Sequence, residues 1–311
     1  VSEPSTTPPA GTGTLVLVAT PIGNLGDLAP RAVDALAGAD VVLCEDTRRT
    51  GTLLTRAAIR ARRLVVANAH TEAAATAEAL RVLGRGGTVA VVTDAGTPGI
   101  SDPGERLVRA AIAAGHTVTT VPGPSAVISA LVVSGLPTDR FVMEGFLPRK
   151  GRERTDRLAA LAHEPRTVVL YEAPHRLART LADLAAVCGP DRPVVLAREL
   201  TKLHEEVWRG TLAAAEALAA ERAAIGEYVV VLGGAPERAP ADDDAVRARL
   251  AAALGRGDDL RSASAAVAAA TGRPRREVYD LALEVRRASG PARPAVDDVG
   301  AQGSGRGRRG R

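Results

Sequence analysis

The chain is 311 residues long, 46% apolar and 24% charged, a length and composition that support more than one packed core. Its formal charge of +4 equals the contribution of Arg306, Arg308, Arg309 and Arg311 alone, so the remainder is balanced and basicity is a matter of local clusters. No run approaches the ~18 apolar residues of a membrane span, the start carries no leader pattern, and Cys44 and Cys188 have neither disulfide nor metal-ligand spacing; a soluble cytoplasmic protein without membrane or metal is expected.

Aromatic residues make up only 2%, which leaves Ala, Val and Leu to fill the cores. Lysine occurs only at Lys150 and Lys202, so nearly all positive charge is arginine, the side chain suited to bidentate phosphate contact. Residues 1–13 are rich in Ser, Thr, Pro and Gly and read as disordered. From Thr14 apolar runs at 15–19, 41–44, 64–67, 89–93 and 118–121 alternate with helical patterns at 30–37, 47–58, 73–83 and 105–114. That rhythm reads as an α/β domain over 14–122 with a mainly parallel sheet.

After Pro122-Gly123-Pro124 the alternation resumes. Strands are expected at 141–144, 167–171, 194–197, 206–209 and 228–232, and helices at 125–133, 151–162, 175–187 and 212–221. They give a second α/β domain over 123–233, its sheet partly antiparallel because the last strands lie close to turns. The two should meet near 121–125. Residues 234–244 (GAPERAPADDD) read as a linker. Helical patterns at 245–254, 261–270 and 275–288 give an all-helical, helix-turn-helix-like unit over 245–289, its last two helices joined at Thr271-Gly272-Arg273-Pro274. A Gly/Arg-rich tail, 290–311, reads as disordered.

Chemistry should sit where strands run into polar loops. The run 89–92 enters DAGTPGISDPG (94–104), whose glycines permit positive φ and close backbone approach while its prolines fix the path. Asp102 with Pro103 behind it reads as the entry to the next helix. That leaves Asp94 and the stretch through Ser101 unexplained by turn chemistry, and one carboxylate among backbone donors and acceptors suits a polar, cationic cofactor. The first strand ends in TPIGNLGD (20–27), which is neither a dinucleotide fingerprint nor a phosphate-binding P-loop. EDTRRT (45–50) follows the strand 41–44: Asp46 can cap a helix, whereas Arg48 and Arg49 lie at the helix start, where the macrodipole disfavours cations and an anionic partner would explain them.

GFLPRKGRER (145–154) runs a strand into four cations within six residues, a pattern that can track phosphates. In YEAPHR (171–176) Tyr171 can stack on a base, and Glu172 or His175 can handle a proton. Ser125, after Pro122-Gly123-Pro124, both caps a helix and faces the presumed crevice.

Taken in order, PIGN, EDTR, DAGTPGISDPG, PGPSA, GFLPRKG, YEAPHR, ARELTK and GEY resemble the bacterial ribosomal RNA small-subunit methyltransferase I family, a branch of the tetrapyrrole methylase superfamily. The resemblance covers residues 14–232, and the helical unit, with Thr271-Gly272 and EVY at 277–279, is similar to that family's C-terminal domain. It implies a homodimer of two α/β domains of tetrapyrrole methylase type with a cofactor cleft between them. It further implies S-adenosylmethionine-dependent methylation of the ribose 2′-hydroxyl of a cytidine in the decoding region of small-subunit ribosomal RNA, as naked RNA or assembled subunit. Mapped onto this chain, the superfamily's cofactor contacts fall at Asp94, Ala95, Gly96, Thr97, Ile100 and Ser101, then at Ser125, Ala126 and Tyr171, with Pro21 nearby.

The reaction needs a base or an oxyanion stabiliser, because a protonated hydroxyl is a poor nucleophile. Glu172 or His175 is the candidate base and Lys150 the candidate stabiliser. Arg48, Arg49, Arg149 and Arg152 would hold phosphates, and Arg273, Arg275 and Arg276 would add grip from the helical unit. Two other readings stay open on the residues alone: methylation of a corrinoid or porphyrin intermediate, and a nucleic-acid-binding regulator without catalysis.

Overall fold

Aliphatic runs without polar alternation belong in strands covered on both faces, and the first five strands are of this kind except the last, TVTTV, an edge strand that stays largely exposed. In the computed structural model, which describes residues 12–68, 70–101, 104–236 and 241–288, they are β1 (Thr14–Val18), β2 (Val41–Cys44), β3 (Leu64–Val66), β4 (Thr88–Val91) and β5 (Thr117–Val121). They pair in the order β3-β2-β4-β1-β5, every pairing parallel. Helices α1 (Pro30–Gly38) and α2 (Thr47–Arg56) bury Ala32, Leu36 and Leu54 with Val16, Val18 and Val42 on one face. Helices α3 (Glu72–Leu83) and α4 (Glu105–Ala113) bury Ala79, Leu83, Leu107 and Ala111 with Leu15, Leu43 and Val89 on the other.

Asp46 caps α2 as expected, its side chain accepting from the Arg48 N–H at 2.8 Å. The start of α4 differs. The helix begins at Glu105 with Gly104 in the N-cap position at φ 138°, a conformation open chiefly to glycine; Asp102 and Pro103, expected to open it, lie outside the described residues. Most of the N-terminal segment 1–13, part of the linker (237–240) and the tail 290–311 also lie outside them.

The second sheet contains β6 (Phe141–Phe146), β7 (Thr167–Glu172), β8 (Pro193–Arg198), β9 (Glu206–Thr211) and β10 (Tyr228–Leu232), in the order β6-β7-β10-β8-β9. Only β6 and β7 are parallel; β10 runs antiparallel to both β7 and β8, and β9 antiparallel to β8. Leucines of α6 (Arg152–Leu161), α7 (Pro174–Cys188) and α8 (Leu212–Glu221) cover one face. The other is covered by Val127, Ala130 and Leu131 of α5 (Ala126–Ser134), joined by Ile22 and Leu200. Ser125 occupies the N-cap position of α5 but makes no side-chain cap hydrogen bond, so the expected cap is not formed.

By contacts the described residues fall into two compact units, divided between Ala235 and Pro236. Both sheets belong to the first. The second is built from α9 (Asp243–Gly255), α10 (Leu260–Thr271) and α11 (Arg275–Ala288), packed around Val246, Leu250, Val267 and Val278. Gly272, in the left-handed conformation at φ 68°, ends α10 and permits the turn into α11.

Candidate active site

The connection leaving β1 runs toward β2 over one face of the first sheet, and that leaving β4 runs toward β5 over the other. The loops at the C-terminal ends of these two neighbours therefore diverge, the place where open α/β sheets bind ligands. Thr20 and Gly96 exchange backbone hydrogen bonds of 2.9 and 3.0 Å, which lock the two loops together. Thr97 Oγ1 donates to the Pro124 carbonyl at 3.1 Å and ties the same loop to the crossing into α5. Ile22 then inserts among the buried residues of the second sheet. Gly23 passes so close to it that a Cβ would stand 2.8 Å from Thr201 Oγ1 and 3.1 Å from the Leu200 carbonyl. Between these loops and the second sheet lies a cavity of about 440 Å³, within the range of small-molecule sites.

One wall is acidic. Asp94 follows β4; its Oδ2 faces the Arg49 guanidinium at 3.3 Å, while its Oδ1 is buried without a hydrogen-bond partner. Burial pushes the Asp94 carboxyl above its usual range, with Arg49 opposing and Asp46 adding to the rise. Glu45 lies on the same wall and is raised by burial first and by the Asp94 charge second. The opposite wall is apolar and aromatic: the Phe146 and Tyr171 rings stand 5.4 Å apart at 48°. Ser101 lines the cavity at φ 61°, a strained value for a serine, against Gly145, where β6 bulges at φ 74°.

Two networks brace the rim. The nearly buried Arg154 donates to Asp183 Oδ2 at 2.7 Å, Thr180 Oγ1 at 3.1 Å and the Pro148 carbonyl at 3.0 Å; Arg176 donates to the Leu147 carbonyl at 2.6 Å. The loop after β6 is thereby pinned to α7. Across the cavity, Lys202 Nζ bridges Glu199 Oε1 at 2.9 Å and Glu227 Oε2 at 2.8 Å. These hydrogen bonds raise the Lys202 pKa in spite of the burial that opposes it.

The pattern of the Tetrapyrrole (Corrin/Porphyrin) Methylases matches residues 14–216, which span both sheets. The chain is 48% identical over 275 residues to the ribosomal RNA small subunit methyltransferase I of Synechocystis sp., covering 88% of this chain and 98% of that protein. It is 47% identical over 285 residues to the protein of the same name from Mycobacterium tuberculosis, covering 91% and 99%. The chain belongs to the ribosomal RNA small-subunit methyltransferase I family of tetrapyrrole methylases. Among solved structures it resembles a uroporphyrin-III C-methyltransferase from Thermus thermophilus, with TM-score 0.50 and 25% identity over 71% of this chain and 94% of that one. A diphthine synthase, at TM-score 0.56 and 15% identity over 71% and 90%, shares the fold.

Tetrapyrrole methylases of this kind depend on S-adenosylmethionine. The residues fit that donor: its sulfonium and ammonium give it net positive charge, and the cavity offers an orphaned buried carboxylate oxygen of Asp94 beside Glu45. Of the positions expected to hold it, Asp94, Ala95, Gly96, Thr97, Ile100, Ser101, Ser125, Ala126 and Tyr171 line one cavity. Pro21 does not; its neighbour Ile22 does, because the chain turns Ile22 into the second sheet.

The expected catalytic groups are not brought together. Lys150 and His175 are exposed and outside the lining. Glu172 lines the cavity but is 2% exposed and fully engaged: Oε1 accepts from the Ala173 N–H at 2.9 Å and faces Arg176 at 3.3 Å, and Oε2 accepts from Thr180 Oγ1 at 2.5 Å. It braces the start of α7, and to serve as the expected base it would have to give up these partners.

The expected phosphate holders also divide. Arg48 is bound to Asp46 at 2.9 Å, which accounts for a cation at the start of α2, while Arg49 lines the cavity. Arg149 is exposed, and Arg152 is exposed with Asp156 at 3.5 Å. Arg154 is spent internally, so the basic loop offers three cations to solvent where the sequence suggested four. Arg273 is likewise consumed by Asp243, Glu277 and the Ala241 carbonyl, whereas Arg275 and Arg276 are exposed. Glu45, Phe146, Leu200, Glu227 and Tyr228 line the cavity without having been assigned to it from sequence. All five belong to motifs quoted above, so the signal was proximity to an assigned residue.

Proposed function

We propose that this protein transfers a methyl group from S-adenosylmethionine to the ribose 2′-hydroxyl of a cytidine in the decoding region of small-subunit ribosomal RNA, and that it does so as a homodimer. The observation that carries the reading is the acid-walled cavity, with Phe146 on its wall leading directly into a loop that exposes Arg149, Lys150 and Arg152. An acidic recess suits a cationic donor, and a basic lip suits a polyanion. The names of the relatives at 47–48% identity support RNA as the acceptor. The cytidine, the 2′-oxygen and the dimer follow from the family resemblance in the sequence.

The test is transfer of labelled methyl by the purified protein to small subunits from cells lacking it, to naked small-subunit RNA and to a uroporphyrinogen. Label on a single ribose of the RNA is expected. Label on the macrocycle alone would sink the reading. Arg149→Ala with Lys150→Ala should lower RNA affinity and leave donor binding, measured by calorimetry, unchanged.

A further inference from the structure

Methylating a hydroxyl requires a group to take its proton, and with His175 outside the cavity and Glu172 engaged, that group has to be sought among the other lining carboxylates. Glu227 has its Oε2 taken up by Lys202 Nζ at 2.8 Å. Asp94 presents Oδ2 to Arg49 at 3.3 Å, and its buried Oδ1 is the oxygen that suits the cationic donor. Glu45 is left. It is half-buried, stands on the wall at the end of β2, receives the Asp94 backbone N–H, and among the described residues has no cation within ion-pairing distance.

We propose that Glu45 is the general base, accepting the proton of the RNA hydroxyl at its carboxylate while Asp94 and Arg49 fix the charge around it. The role rests on the hydroxyl methylation proposed above. The proton passes from the hydroxyl oxygen to Glu45 and from there to solvent. The donor supplies the methyl: an oxygen–carbon bond forms, the carbon–sulfur bond breaks, and its electron pair stays on sulfur, leaving a neutral thioether. The charged groups facing Glu45 are Asp94 and Asp46, which raise its pKa along with burial, and Arg49, which lowers it; the net rise makes it a stronger base than an exposed glutamate.

The experiment compares wild type, Glu45→Gln and Glu45→Ala in single-turnover methylation of small subunits, with donor affinity by calorimetry. Glu45→Gln is expected to keep binding S-adenosylmethionine, weakened at most by the loss of one wall charge, and at saturating donor to lose about 10²–10⁴-fold in rate, the usual worth of a positioned base. The wild-type rate should climb with pH along an acidic limb that Glu45→Gln lacks, and added formate should restore part of the Glu45→Ala rate. A Glu45→Gln protein that transfers methyl at the wild-type rate overturns the role of Glu45 and leaves the RNA reading standing. So does one that has lost donor binding, which would make Glu45 a donor ligand. No transfer to RNA by wild type overturns the RNA reading and the base together.

Discussion

At the scale of single residues, Glu45 and Asp94 are carboxylates whose burial works against folding at neutral pH. Their folded pKa values are raised, so between the unfolded and folded values the native state holds more protons, and stability falls as pH rises through that window. Asp46 and Glu164 have the opposite sign. Hydrogen bonds from Arg48 and Arg166 hold them at about 2, so their contribution is present above the ordinary carboxylate range and is lost as pH falls toward 2. Glu45→Gln should therefore melt above wild type near neutrality, and the gap should close on acidification; thermal melts across pH check it. Arg154 lies at the other extreme. Removing its buried guanidinium strips Asp183 Oδ2 of its two hydrogen bonds and Thr180 Oγ1 of one of its partners, and Arg154→Ala should cost about 3 kcal/mol in urea unfolding. The sequence displayed the donor loop because glycine, proline and one carboxylate at a strand end have few other uses. It could not rank Glu45 above Glu172, since both lie at the ends of buried strands, and only Arg176 and Thr180, one and two turns on, show that Glu172 is occupied.

At the scale of elements, two glycines hold the loops of the second sheet in place. Gly226 stands at φ 87°, where a Cβ would come 2.6 Å from Glu199 Cγ, and Glu199 is itself held at φ 49° by Lys202 and the Glu227 N–H. Gly226→Ala should cost about 1–3 kcal/mol through the strained conformation alone. Gly23→Val would drive a branched side chain into Leu200 and Thr201 and push the β1 loop off the second sheet. It should destabilise by about 1–3 kcal/mol and weaken donor binding, both read from melts with and without donor. The strands themselves were legible to within two residues because apolar runs bounded by turns leave little choice. The full two residues are missed at β6, which runs past Glu144 to Phe146 through the bulge at Gly145, because glycine alone does not announce whether a strand ends or bends. The placing of β10 between β7 and β8 was not legible either, since it depends on pairing across some 30 to 60 residues that no local pattern records.

At the scale of the molecule, the question is what the helical unit adds. Its core draws only on residues from Ala241 to Val285, and none of the four clusters in the sheets contains a residue beyond Leu232. Among the described residues the cavity too is lined only from Ile22 to Val229. A chain ending at Ala235 should therefore keep its melting transition and bind S-adenosylmethionine with unchanged affinity. If the helical unit contacts RNA, the loss should appear in RNA affinity and in its salt dependence. Truncation also removes the arginines near the C-terminus, so point variants have to separate the two sources. Arg275→Ala with Arg276→Ala in the full chain removes two exposed cations and leaves the Arg273 ion pairs that hold α9 to α11. If both touch phosphates, the slope of log affinity against log salt should flatten by about 0.7–0.9 per residue, while donor affinity and melting stay fixed. An unchanged slope would place the RNA grip on Arg149, Lys150 and Arg152 of the loop after β6. Donor affinity lost on truncation would mean that the sheets do not complete their cavity alone.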